Sequence, residues 1–240
     1  MTLRLHALCF DAYDPLRLAQ FWSGVLRRQL SDDPAGGPLL LPNDDREFPI
    51  GFLPTEEPKV VPNQMHFDLT STSLAHQEET VARALALGAR RLDVGQTPDD
   101  GHVVLADPEG NEFCVIEPDN SFLAGTGAIG ALSSDGTQQV GYFWAAALGW
   151  PLVWDQDQET AIQSPGGGTK ISWGGPPVAP KPRKNRLHLD LAPPADGDQQ
   201  AEVDRLVSLG ASRIDIGQGE VDWVVLADPD GNELCVLTPR

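Results

Sequence analysis

The sequence has 240 residues, which is enough for one large domain or for two domains of ordinary size. Hydrophobic residues make up 40% and charged residues 22%, a composition typical of globular proteins that argues against global disorder. The net charge of −18 repels nucleic-acid phosphates and anionic lipids, so we expect neither nucleic acid nor a membrane as a partner.

The first residues, MTLRLHALCFDAYDP, contain charges and an early proline, unlike a signal peptide with a basic head and a long apolar run. We therefore expect a β-strand over residues 3–10. The cysteines Cys9, Cys114 and Cys235 are odd in number and widely spaced, which does not match a disulfide framework or a CxxC metal knuckle. Both observations predict a cytoplasmic protein.

A helix follows the first strand, because Asp14 is a good N-cap and Pro15 suits the first helical position. The Gly- and Pro-rich residues 36–55 predict short strands joined by turns. A second strand at 65–70 precedes a helix over about 74–87, which Gly88 ends. Three more strands are predicted at about 90–95, 102–106 and 112–117.

The same pattern occurs twice. LGARRLDVGQ at 87–96 returns 122 residues later as LGASRIDIGQ, and the same spacing relates His66 to His188. VVLADPEGNEFCV at 103–115 returns as VVLADPDGNELCV at 224–236. Repeats this long and in the same order predict two homologous α+β domains, at 1–120 and 125–240.

Four segments carry a family resemblance: DPLRLAQFWSGVL, NQMHFDLT, NRLHLDLA and the VVLADPxGNE hairpin. They resemble the vicinal oxygen chelate superfamily, which includes glyoxalases, bleomycin-resistance-type binders and extradiol dioxygenases. The resemblance implies two tandem glyoxalase-like domains, each of paired βαβββ modules that form a half-open barrel around a cavity. Because this fold supports many chemistries, the resemblance alone assigns no activity.

The resemblance also allows a check of metal ligands. Metal-dependent members carry a histidine that opens the second module and a glutamate on the final strand. His66 and His188 match the histidine, but Cys114 and Cys235 stand where the glutamates would be. Glu117 is three residues further along, so it points to the opposite face of its strand.

The first strand offers no better donor. His6 is one residue away from the family's ligand position, which Ala7 occupies, and a shift of one residue reverses the face. The matching residues 127–131 of the second half contain no donor. We therefore expect no metal ion or other cofactor, with His6 and His66 as weak metal candidates.

Each half retains a His-x-Asp pair, His66 with Asp68 and His188 with Asp190, on one face of a strand. Such a pair can act in acid–base chemistry or in hydrogen bonding, or the aspartate can simply hold a partly buried histidine. The resemblance places these positions in the cavity, where we predict contact with a ligand. Further predicted ligand-binding residues are Cys114, Cys235, Phe52, Trp173, His102 and Trp223.

Three functions fit these observations. The first is metal-independent binding of a small molecule, for resistance or sequestration, by a monomer or a homodimer. The second is a metal-independent lyase, isomerase or cyclase in which His66 or His188 acts as the acid–base residue. The third is a metal-dependent glyoxalase or dioxygenase with His6, His66 and a carboxylate such as Glu56 as ligands.

Overall fold

A computed structural model describes residues 3–33, 36–97 and 100–240. These residues form four consecutive βαβββ modules. The first contains β1 (Arg4–Ala12), α1 (Pro15–Leu26), β2 (Leu30–Asp32), β3 (Pro38–Leu40) and β4 (Ile50–Pro54). The second contains β5 (Met65–Leu69), α2 (Leu74–Ala86), β6 (Arg90–Arg91), β7 (Val103–Ala106) and β8 (Glu112–Val115).

The second half repeats this order. The third module contains β9 (Ile129–Ser134), α3 (Gln138–Leu148), β10 (Leu152–Gln156), β11 (Glu159–Gln163) and β12 (Lys170–Trp173). The fourth contains β13 (Leu187–Ala192), α4 (Gln199–Ser208), β14 (Ser212–Arg213), β15 (Val224–Ala227) and β16 (Glu233–Val236). No helix in the described part of the chain is long and apolar enough to span a membrane.

The local signals act largely as predicted. Asp14 accepts a hydrogen bond from the amide of Arg17 and so caps α1, with proline in the first turn. Gly88, at φ +110°, follows the end of α2. The strand predicted at 90–95 is shorter, because the amide of Gly95 turns back to the carboxylate of Asp93.

The modules pair across the two halves of the chain. The first sheet has the order β14-β15-β16-β13-β1-β4-β3-β2, and the second has the order β10-β11-β12-β9-β5-β8-β7-β6. Strands β1 and β13 are antiparallel neighbours at the centre of the first sheet, as β5 and β9 are in the second. Modules one and four therefore share one sheet, and modules two and three share the other.

The α+β class and the open sheets of paired βαβββ modules confirm the predicted fold. The partner of each module differs from the expectation, which paired the modules within one half of the chain. The physical reason is that β5 and β13 carry almost the same pattern, MHFDL and LHLDL, so local sequence cannot decide which neighbour each one takes.

The helices cover one face of each sheet. Trp22 of α1 is buried there and packs edge-on against Phe67 and Phe113. Its ring N–H donates to the carboxylate of Asp107 at 3.2 Å, and in the second half Trp144 donates to Asp228 at 3.1 Å. The aspartate of the repeated ADPxGN turn therefore ties the terminal hairpin to the core. The other face of each sheet is concave and carries the polar side chains described next.

Candidate functional site

Two homologous clusters lie on the concave faces. Side chains alternate along a strand, so Phe67 of β5 faces the helices, whereas His66 and Asp68 face the concave side. On β13 the same alternation buries Leu189 against the core and presents His188 and Asp190 on the other face.

In the second sheet, polar groups form a chain across neighbouring strands. The Nε2 atom of His66 lies 3.3 Å from Oδ1 of Asp68. The hydroxyl of Ser133 donates to Oδ2 of Asp68 at 2.5 Å, and the hydroxyl of Ser172 donates to Ser133 at 3.3 Å. Cys114 completes the cluster, with possible ligand atoms of Cys114, His66 and Asp68 all within 4.8 Å of one another.

A cavity of about 400 Å³ lies beside this chain of groups. The side chain of His66 is 36% exposed, so it is accessible to a ligand. Phe122 and Trp154 form an aromatic wall, with ring centroids 6.2 Å apart and planes at 82°. The cavity is lined by Asn63, Gln64, His66, Phe122, Ser133, Ser134, Asp135, Trp154, Glu159, Thr160, Ser172, Trp173 and Gly174. We call it the second-sheet cavity.

The imidazole of His66 is charged at neutral pH. Burial lowers its pKa, but hydrogen bonds to Asp68 and Cys114 and the charge of Asp68 raise the pKa from 6.5 to about 10. Asp68 is the main cause of the raised pKa, because its carboxylate is in direct contact with the imidazole. His66 is therefore suited to donate a hydrogen bond or a proton, and it is a poor base at pH 7.

The cluster of the first sheet is closed. His188 lies 3.5 Å from Asp190, to which the thiol of Cys9 donates at 3.3 Å. The side chain of His188 is only 5% exposed, compared with 36% for His66. Lys184 forms an ion pair with Asp11, whose Oδ1 lies 4.0 Å from Nδ1 of His188.

Burial controls the protonation of the cluster in the first sheet. Desolvation, assisted by the charge of Lys184, lowers the pKa of His188 to about 3. Desolvation raises the pKa of Asp190 to about 6, and it raises the pKa values of Cys9 and Cys235 above their usual range. His188 is therefore neutral at pH 7, unlike its homologue in the second sheet.

The contrast follows from a few exchanged residues. Opposite the histidine, Ser133 of the second sheet is replaced by Cys9 in the first, and the next strand has Gly51 in place of Ser172. Four residues before the histidine, Lys184 occupies the position that Pro62 has in the other half. The lysine pairs with Asp11 beside the buried His188, whereas the second-sheet cavity stays open.

The donors fit a hard divalent ion poorly. The cluster at His66 contains one carboxylate, and both oxygens of Asp68 already contact Ser133 or His66. Cys114 is a soft ligand where oxygen would favour a hard ion. In the first sheet, His188 and Asp190 lie with the thiol of Cys9, again with a single carboxylate in the group.

The weak metal candidates do not meet. His6 lies on β1 in the first sheet, whereas His66 lies on β5 in the second, and Glu56 follows the end of β4. Neither metal-ligand group found among the described residues includes His6 or Glu56.

The other predicted ligand contacts are divided. Trp173 lines the second-sheet cavity, and Cys235 adjoins Asp190 in the closed cluster. Phe52 is fully buried and stacks on Phe10 with centroids 5.5 Å apart, which corrects its placement in a cavity wall. His102 and Trp223 are not among the described residues that line the second-sheet cavity.

Several residues that line the cavity were not predicted from the sequence. Ser133, Ser172 and Trp154 belong to module three, which the expected pairing kept away from His66. Phe122 lies in the segment between the two halves. The sequence signal for Trp154 was its place in the apolar run LVW at 152–154, since β-branched and aromatic residues are enriched in strands.

Comparison with known proteins agrees with this architecture. A family model described as a glyoxalase-like domain matches the chain twice, at residues 7–116 and 131–237. The search of curated proteins gives no match.

Two solved structures resemble the whole chain. Glyoxalase I from Zea mays is 12% identical, with a TM-score of 0.67 over 99% of this chain and 92% of that one. A candidate dioxygenase from Bacillus subtilis is 14% identical, with a TM-score of 0.62 over 99% of this chain and 85% of that one. At such identities the likeness concerns the fold alone. Because the family model accounts for most of both halves, the chain belongs to the glyoxalase-like domain family and contains two copies of that domain.

Proposed function

We propose that the protein binds a small molecule in the second-sheet cavity without a metal ion, in a resistance or sequestration role. The observation that carries the proposal is the partly exposed His66, held by Asp68 in an open cavity that has an aromatic wall. Concave sites with aromatic walls and a few convergent polar groups are typical of small-molecule binding. The donor set argues against a metal ion as part of the site.

Thermal stabilisation by ligands tests this proposal. We expect some members of a library of small aromatic compounds to raise the melting temperature, because a ligand specific for the native state stabilises it. His66→Gln and Trp154→Ala should remove the shift, while His102→Gln serves as a matched control outside the cavity. The proposal fails if shifts persist unchanged in both cavity variants.

Metal content is a separate test. We expect purified protein to contain far less than one divalent ion per chain and to bind the same compounds with and without EDTA. Stoichiometric metal bound at His66, lost in His66→Gln, would support the metal-dependent alternative instead.

The hydrogen-bonded chain from Ser172 to Ser133, Asp68 and His66 favours a second candidate, a metal-independent lyase, isomerase or cyclase. In that case the charged His66 would act as a general acid. Once a compound that binds is known, product analysis by mass spectrometry distinguishes turnover from binding. Turnover that survives in both His66→Gln and Asp68→Asn would exclude this role.

A further inference from the structure

Two carboxylates stand at one end of the second-sheet cavity. Asp135 and Glu159 both line it. Because Thr160 pairs with Trp173, Glu159 lies opposite Gly174, whose amide donates to the carbonyl of Ser134 beside Asp135. Within the described ranges, no lysine, arginine or histidine lies within ion-pairing distance of either carboxylate.

In the first sheet, a lysine lies beside the carboxylate that corresponds to Asp135. Asp11 follows Cys9 by two residues, as Asp135 follows Ser133, and Asp11 forms an ion pair with Lys184. The position of Lys184 is taken by Pro62 in the second sheet. The open cavity therefore keeps the acid of this pair but lacks the lysine.

Aromatic rings line the same cavity as these carboxylates. Trp154 is 37% exposed and meets the edge of Phe122. The Nζ atom of Lys170 lies 4.7 Å from the centroid of the Phe122 ring, so one ring of this wall already contacts a cation. The faces of tryptophan and phenylalanine rings attract cations through their quadrupole.

The remaining charged groups near the cavity do not reverse its preference for cations. The charge of His66 is matched by Asp68 at 3.3 Å. Lys170 donates to the carbonyl of Phe122 and is not one of the residues that line the cavity. Around the cavity, the carboxylates of Asp68, Asp135 and Glu159 outnumber the two cations. The net charge of −18 adds a long-range field that attracts cations.

We infer that the ligand is an organic cation, an amine or quaternary ammonium with an apolar body, whose charge lies between Trp154 and the carboxylates of Asp135 and Glu159. The inference rests on the proposed binding function and names its ligand class. Ser133 lies two residues from Asp135 along the chain, a distance of about 6–7 Å in a strand. A hydrogen-bond donor on the ligand at that distance from its charge would reach the hydroxyl oxygen of Ser133, whose own proton is donated to Asp68.

Isothermal titration calorimetry with three soluble benzyl compounds tests the class: benzyltrimethylammonium, benzyl alcohol and phenylacetate. We expect saturable binding of the cation, at least about tenfold weaker binding of the alcohol, and none of the anion. Trp154→Ala and the pair Asp135→Asn with Glu159→Gln should each weaken cation binding by about tenfold or more. Glu220→Gln removes an exposed carboxylate outside the cavity, and we expect it to change nothing.

Pro62→Lys is a second kind of variant, because it copies the arrangement of Lys184 and Asp11 into the open cavity. We expect it to abolish binding of the cation while circular dichroism confirms an intact fold. The inference is overturned if the cation does not bind, or if its binding is unaffected by the cavity variants and so reflects the acidic surface. Binding of the alcohol or the anion that is as tight as binding of the cation, and that is lost in Trp154→Ala, would overturn the ligand class but leave the proposed binding function intact.

Discussion

His66 and His188 show how surroundings determine the protonation of homologous residues. Each precedes an aspartate by two positions and each faces a concave sheet surface. Contact with Asp68 keeps the partly exposed His66 protonated, whereas burial and the charge of Lys184 keep His188 neutral. The one histidine offers a donor to the cavity, and the other contributes to a closed interior.

A pH-dependent loss of stability is expected from His188. Its pKa is about 3 in the fold and about 6.5 in the unfolded chain, so the unfolded state binds more protons below pH 6.5. The stabilisation by the neutral imidazole is therefore present above pH 6.5 and is lost as the pH falls toward 3. Between pH 7 and pH 5 this loss is about 2 kcal/mol.

Asp190 acts in the opposite direction. Its raised pKa of about 6 means that stability falls as the pH rises from about 4 to 6. His188→Gln removes the loss of stability caused by protonation of the imidazole and keeps the opposite contribution of Asp190. We therefore expect the variant to gain stability relative to wild type on acidification from pH 7 to 5. Urea denaturation at both values measures this, with His102→Gln as control. An equal change in wild type and His188→Gln would contradict the assigned pKa of His188.

The His-x-Asp pairs could be predicted from sequence because alternation along a strand fixes the face of each residue. The closure of one cluster could not, because it depends on Lys184 reaching Asp11 across about 170 residues of chain. Phe52 and Trp173 show the same limit, since homologous positions differ in whether a cavity or the core lies beside them.

At the scale of elements, α3 packs closely on β11 at Gly141. A Cβ atom at this position would lie 2.0 Å from Oγ1 and 2.6 Å from Cβ of Thr160, which is itself buried. Helix propensity favours alanine over glycine by about 1 kcal/mol, but overpacking a core costs about 1–3 kcal/mol. The clash involves a short side chain on a strand that is paired on both sides, so we expect packing to decide the outcome.

Gly141→Ala should therefore lower the free energy of unfolding by about 1–2 kcal/mol, as measured by chemical denaturation. Gly166→Ala is the matched control, because its nearest neighbour would be 3.6 Å away and its φ is not positive. A stabilised Gly141→Ala protein would mean that α3 can move away from β11 at little cost.

At the scale of the whole molecule, the sequence repeats and the sheets divide the chain differently. The two repeats matched by the family model span residues 7–116 and 131–237, whereas each sheet joins strands of both repeats. The presence of two tandem repeats could be predicted from the spacing of motifs. The choice of sheet partner could not, since each central strand faces two nearly identical candidates.

Expression of the separate halves tests this interdependence. A polypeptide of residues 1–124 alone would expose the pairing edges of β1 and β5, and residues 125–240 alone would expose those of β9 and β13. We expect each half alone to self-associate or to remain unfolded, and co-expression to give a one-to-one complex with native circular dichroism. A stable, folded monomer of either half would show that its modules pair within one repeat after all.

Modules two and three lie between modules one and four along the chain, so the strands of the two sheets become available in a fixed order during synthesis. When the chain has left the ribosome as far as Trp173, every strand of the second sheet is available, while β1 still lacks β13. Module one is thus synthesised first but finds its partner last. Until translation is nearly complete, the edge of the apolar strand β1 has to avoid pairing with other nascent chains.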